Sequence, residues 1–105
     1  MPRLYKAPKA AQEAVRRGLR IRDAQPMSNK CCTSAGILTA RRILRGYMFD
    51  RAELAKIYSF HRRHRAARRG RKFSRSSKST QALLLWGGEP MYRYTQRILG
   101  KLDKR

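Results

Sequence analysis

His61 and His64 stand three residues apart, a spacing that puts two imidazoles on one helical face, and Cys31 and Cys32 supply two thiols elsewhere. These are the side chains that bind zinc. Their arrangement argues against a metal site, because adjacent cysteines rarely chelate one ion together and no C-x-x-C spacing exists. His61 also falls on an apolar helical stripe, where packing accounts for it. A cysteine beside a histidine is the pairing of nucleophilic catalysis, yet nothing else in the chain supports such a site. The acidic residues are scattered without paired-carboxylate spacing, and no Gly-rich run forms a phosphate cradle. The expectation is a protein that is not an enzyme, with no metal and no cofactor. The histidines, if protonated, would add charge towards a phosphate.

The chemistry that remains is charge. The chain carries 27 Lys and Arg against 6 Asp and Glu, a net charge of +21 over 105 residues. Self-repulsion at this density destabilises a compact state, and a bound polyanion relieves it. Arg outnumbers Lys, and the guanidinium forks onto phosphate and stacks on bases, which sets nucleic acid ahead of a membrane surface or an acidic protein face. The run Arg62, Arg63, Arg65, Arg68, Arg69, Arg71, Lys72, Arg75 and Lys78 contains no acid. Its cations would neutralise phosphates and release counterions; the plainer reading is a solvated charge run. Arg41, Arg42 and Arg45 add a second group, with Arg16, Arg17 and Arg20 further upstream. Ser74, Ser76, Ser77 and Ser79 lie among these cations, where phosphorylation would lower the charge, although linker composition also explains them.

The elements that must position these residues are legible as helices. Ala11, Ala14, Val15, Gly18 and Leu19 fall at helical spacing within 10–22. Thr33 or Ser34 suits the cap of a second helix that reaches about Arg45, with Gly46 to stop it and Ile37, Ala40, Arg41 and Leu44 on one face. After a short turn at 46–49, Asp50 and Glu53 have capping-box spacing and open a third helix whose stripe is Leu54, Ile57, Tyr58 and His61. The outline matches a helix-turn-helix, but Asp50 and Glu53 at the start of its second helix repel phosphate. An ordinary helical hairpin fits better, with phosphate contact from Arg62, Arg63, Arg65 and Arg68 rather than base reading from Arg51 and Lys56. A short buried helix or strand covers 81–86. Trp86-Gly87-Gly88 ends it abruptly, and Pro90 suits the first turn of a last helix with Met91, Tyr94, Thr95, Ile98, Leu99 and Leu102 on one face.

The longest apolar run, 82–86, is too short to span a bilayer, so no membrane partner is expected. No signal segment is visible. Cys31 and Cys32 read as reduced thiols in a cytoplasmic setting, since the ring that neighbouring cysteines close is small and strained.

The same residues resemble a pattern in small domains encoded by tailed bacteriophages. That pattern runs from an R-G-L helix to a glycine-led, R-A-rich helix and an M-x-S-F-F-x-R-H helix. It closes on A-W-L-L-W-G-G-D-x-G-x-x-W. Arg17-Gly18-Leu19 fits the first piece, and Gly36 with Ala40-Arg41 the second. Ile57, Ser59, Phe60, Arg63 and His64 fit the third. Ala82, Leu84, Leu85, Trp86, Gly87, Gly88 and Glu89 fit the fourth, with Tyr94 at the second Trp position. His61, Leu83 and Met91 depart from it. The resemblance implies phage origin, a compact helical domain in which Trp86, Phe60 and Tyr94 pack together, and a location in the host cytoplasm or the virion. It implies no activity.

The expected fold is all-α: one small domain of four to five helices. Residues 1–9 form an extended basic arm, and 10–105 a helical domain with a mobile basic loop at about 65–79. The expected function is non-enzymatic nucleic-acid binding through phosphates, with DNA ahead of RNA. Because most aromatic residues look committed to the core, binding should be independent of sequence. Two alternatives stand beside it. One is a minor virion component bound to phage structural proteins of the capsid or tail, marked by an apolar patch on the last helix. The other is a ribosomal or ribonucleoprotein subunit.

Overall fold

The computed structural model describes residues 3–103, with side chains as far as residue 100. The described chain forms five helices and one two-stranded sheet, so the fold is all-α as expected. Helix α1 (Lys9–Asp23) buries Ala11, Ala14, Val15 and Gly18. This face of small side chains lets α1 lie close on α4 (Lys78–Leu85). A Cβ at Gly18 would stand 2.7 Å from Leu84 Cβ and 3.3 Å from the Leu84 carbonyl carbon, so only glycine permits this approach. At the end of α1 the Lys30 ammonium donates to the carbonyl oxygens of Arg22 and Asp23 at 2.7 and 3.2 Å, cation to negative helix end.

Helix α2 (Ser34–Leu44) stops at Gly46, where φ is +74°. The Gly46 N–H bonds to the Ile43 carbonyl and the Tyr47 N–H to the Arg42 carbonyl, the paired bonds of a Schellman end. Its buried side is Gly36, Ala40 and Ile43. Arg41, expected on the apolar face, is exposed, because the face turns towards α1 and α4 rather than through Arg41. Leu38 is also half exposed.

The turn expected at 46–49 is partly a strand. Strand β2 (Met48–Phe49) pairs antiparallel with β1 (Tyr5–Lys6), with Tyr5 opposite Phe49 and Lys6 opposite Met48. Over its described residues the basic arm is therefore extended but docked, and Ala7 within it is buried; residues 1 and 2 of the expected arm lie outside the described residues.

Helix α3 (Arg51–Arg68) opens on the expected capping box: Asp50 Oδ1 accepts from the Glu53 N–H at 2.8 Å, and Glu53 Oε1 accepts from the Asp50 N–H at 3.0 Å. Glu53 Oε2 also accepts from the Tyr47 hydroxyl. The expected hairpin of α2 and α3 is not the packing found. The partners of α2 are α1 and α4, and α3 lies chiefly on α5 (Gly88–Asp103). The two helices splay from β2, which leaves a cleft between them.

Between α4 and α5 the chain turns at Gly87 and Gly88, with φ of +94° and +65°. A Cβ at Gly87 would overlap that of Met91, so this abrupt stop admits only glycine. Val15, Ile43, Leu54, Leu85 and Met91 fill the centre, joined by three buried polar residues, His61, Gln81 and Thr95.

Candidate nucleic-acid interface

The basic run is divided by helix boundaries that charge alone does not reveal. Arg62, Arg63, Arg65 and Arg68 belong to α3, Arg69 caps it, and Lys78 opens α4. The loop expected at about 65–79 narrows to 69–77, since α3 meets no breaker before Gly70 and its last turns are held from outside. His64 Nε2 lies 3.0 Å from the Ser79 carbonyl, to which it donates. Arg65 Nη1 reaches both oxygens of Glu89 at 2.7 and 3.0 Å.

The loop expected to be mobile makes several contacts with its neighbours. Phe73 sits under two guanidinium groups, Arg68 at 4.6 Å and Arg71 at 5.4 Å. Thr80 Oγ1 donates to the Ser74 carbonyl at 2.7 Å, and Ser77 caps α4 by accepting from the Thr80 N–H at 3.1 Å. Beneath it lies Gln81, fully buried. Its Nε2 donates to the carbonyls of Asn29 and Ser76, both at 2.7 Å, and its Oε1 accepts from the Cys31 N–H at 3.0 Å. Asn29 Nδ2 closes the ring on the Ser76 carbonyl at 3.0 Å. One amide thus joins the segment before α2 to the basic loop.

Those tethers bring three cations of the basic run together, with His64 beside them. A cleft of about 360 Å³ is lined by His64, Arg65, Arg68 and Arg69, with Leu83 and Glu89. Arg65 is committed to Glu89. Among the described residues Arg68 is not matched to a carboxylate: Nη2 donates to Thr80 Oγ1 at 3.4 Å, and Nη1 is buried without a hydrogen-bond partner. A charged N–H left in that state costs free energy until an acceptor reaches it. Arg63, Arg69, Lys72, Arg75 and Lys78 are exposed and have no acidic partner among the described residues.

Arg41, Arg42 and Arg45 do not join this group. They close α2, at the opposite end of α3, and an 18-residue helix is roughly 27 Å long. Arg42 is also engaged, 3.5 Å from Glu53 and over the Tyr47 ring at 4.7 Å. Capping residues and the α2 stop account for that separation.

The histidines are not extra cations. His61 is fully buried, and its Nε2 faces the Trp86 carbonyl at 2.9 Å. Burial pushes its pKa down to about 4, only partly opposed by that carbonyl. Burial likewise lowers His64. Both imidazoles are neutral at pH 7, so the expectation of added charge fails for a reason of solvation. No cluster of three or more metal-binding side chains exists among the described residues.

The expectation of reduced thiols is also corrected: Cys31 and Cys32 are joined in a disulfide. Cys32 takes a φ of +136°, rare for any residue but glycine. The surroundings hold that backbone, through Gln81 on the Cys31 N–H and the Arg22 guanidinium on the Cys31 carbonyl. The pair is therefore no marker of a reducing compartment.

Of the aromatic cluster expected from the phage-like pattern, Phe60 and Trp86 do stack, 4.4 Å apart and 10° from parallel, and His64 stacks on Phe60 at 5.1 Å. Tyr94 is elsewhere. It lines a separate cleft with Pro8, Pro90 and Arg97, because the register of α5 turns it towards the N-terminal arm.

Phe73 and Gln81 are the side chains of this region that charge reading passes over. A lone aromatic within a basic run marks the first. A single amide leading an apolar run marks the second. No family model matches the chain, and comparison with curated proteins and with solved structures finds no match.

Proposed function

We propose that the protein binds nucleic acid through its phosphates, independently of base sequence and without catalysing a reaction. The observation that supports this reading best is the buried, unpartnered Nη1 of Arg68, in a cleft it shares with Arg65 and Arg69. A phosphate oxygen supplies the missing acceptor and a counter-charge together. Lys72, Arg75 and Lys78 carry the same sign of charge along the tethered loop and the start of α4, and Arg63 carries it on another face of α3. Phosphate contacts position a ligand and carry no base information. The resemblance to tailed-bacteriophage domains extends the proposal to a phage-encoded protein, and DNA is placed ahead of RNA as its ligand. The apolar patch that would mark a virion subunit is not on the described part of α5: the exposed large apolar side chains among described residues are Leu4, Met27, Leu38 and Met48.

Binding of duplex DNA across a salt series tests this. Log K should fall with log salt by about 0.9 per phosphate engaged, at a slope equal to about six contacts or more. Replacing Arg63, Arg69, Lys72, Arg75 and Lys78 by Gln should remove most of that slope. Negligible binding near physiological salt overturns the proposal.

A further inference from the structure

The splay of α2 and α3 opens a cleft that ends on Trp86, the one tryptophan of the chain. Two contiguous hollows, about 480 and 240 Å³, share this indole and Lys56. The first is walled by α3 alone, through Ala55, Lys56, Ser59 and Arg63. Ala55 and Ser59 are short, and their size makes the space. The second reaches across to Leu38 on α2, whose side chain is half exposed although large and apolar.

The indole is held in place. Phe60 and then His64 stack behind it in one nearly parallel pile. The backbone carbonyl of Trp86 is fixed by His61, and the glycine turn follows immediately. At the rim, Lys56 and Arg63 are exposed and have no acidic partner among the described residues. Among the described residues no acid lines the first hollow.

A pre-set aromatic ring in a cleft with unpaired cations at its mouth is suited to one chemistry. A flat base stacks on the ring while its flanking phosphates meet the cations. A base inside a duplex has both faces covered by its neighbours and cannot enter. We propose that the α2–α3 cleft takes an unpaired nucleobase against Trp86, with Lys56 and Arg63 on the adjoining phosphates, so that the protein prefers single-stranded nucleic acid. This rests on the nucleic-acid reading above and adds strand state to it.

The test uses the full chain. Intrinsic fluorescence excited at wavelengths beyond tyrosine absorption, so that it reports Trp86 alone, is titrated with oligothymidylate, oligouridylate, blunt duplex DNA and inorganic polyphosphate. Binding is followed independently by the anisotropy of labelled ligands or by displacement of one. Stacking predicts strong quenching by a single strand at saturation and little by polyphosphate or duplex at equal occupancy. The thymidylate and uridylate arms tell DNA from RNA. The double variant Lys56→Ala with Arg63→Ala, both exposed, should weaken single-strand binding about tenfold and duplex binding about twofold. Saturated single-strand binding without quenching, or equal quenching by polyphosphate, overturns the stacking site and leaves phosphate binding intact. Failure of all four polyanions to bind overturns both.

Discussion

His61 Nε2 donates to the backbone carbonyl of Trp86 at 2.9 Å from a site with no solvent exposure. The bond fixes the tautomer, because a carbonyl only accepts. It leaves Nδ1 buried without a partner. A histidine on the apolar stripe of α3 therefore acts as a neutral strut between that helix and the α4–α5 turn.

This strut predicts a pH limb. The folded pKa is near 4 against 6.5 in the unfolded chain, so the unfolded state binds the proton more tightly. Stability is complete above about pH 6.5 and is lost as pH falls through the window down to 4, by about 3 kcal/mol from this group. Urea denaturation at stepped pH measures it. His61→Gln, which keeps a donor for the carbonyl and does not titrate, should flatten the curve between pH 5 and 6.5.

Gln81→Leu should cost about 2–4 kcal/mol, because it strands the Cys31 N–H and the carbonyls of Asn29 and Ser76. It should also loosen the basic loop. Hydrogen exchange at 74–77 is expected to speed up more than exchange in α5, and equal acceleration everywhere would refute the tether.

Gly18→Ala should destabilise by about 1–3 kcal/mol, since its Cβ meets Leu84 Cβ and backbone, neither of which is a flexible tip. Thermal melting against Gly100→Ala, whose Cβ would meet nothing within 4 Å, provides the control.

Arg68→Lys keeps the charge and removes the planar fork. It is expected to weaken duplex binding about fivefold, while Arg75→Lys, at an exposed loop position, changes it less than twofold. Equal effects would mean that only net charge matters.

How far the chain could be read follows from the range of each interaction. The Asp50–Glu53 box, the Gly46 stop and the buried face of α1 are local and were legible. The pairing of Tyr5 with Phe49 involves two residues on each side and no alternation, so it leaves no pattern. Gln81 joins Asn29 and Ser76 across the fold, and its role appears only when those segments meet. Charge in the run from Arg62 to Lys78 was plain. Its division by the end of α3, and the separation of Arg41, Arg42 and Arg45 from it, depend on helix length. The stacking of Phe60 on Trp86 was anticipated; Tyr94 packs on the core from another side, next to the N-terminal arm, a placement that the register of α5 decides.

The apolar face of α1 has a further consequence during synthesis. Its main covers, α4 and α5, are the last helices described along the chain. A growing chain emerges with Ala11, Ala14, Val15 and Gly18 uncovered, and with most of its cations already outside the exit tunnel, beside ribosomal RNA. Folding of the domain therefore waits until α4 and α5 have been made. Until α4 and α5 appear, the nascent segment is a basic polymer competing for the polyanion nearest to it.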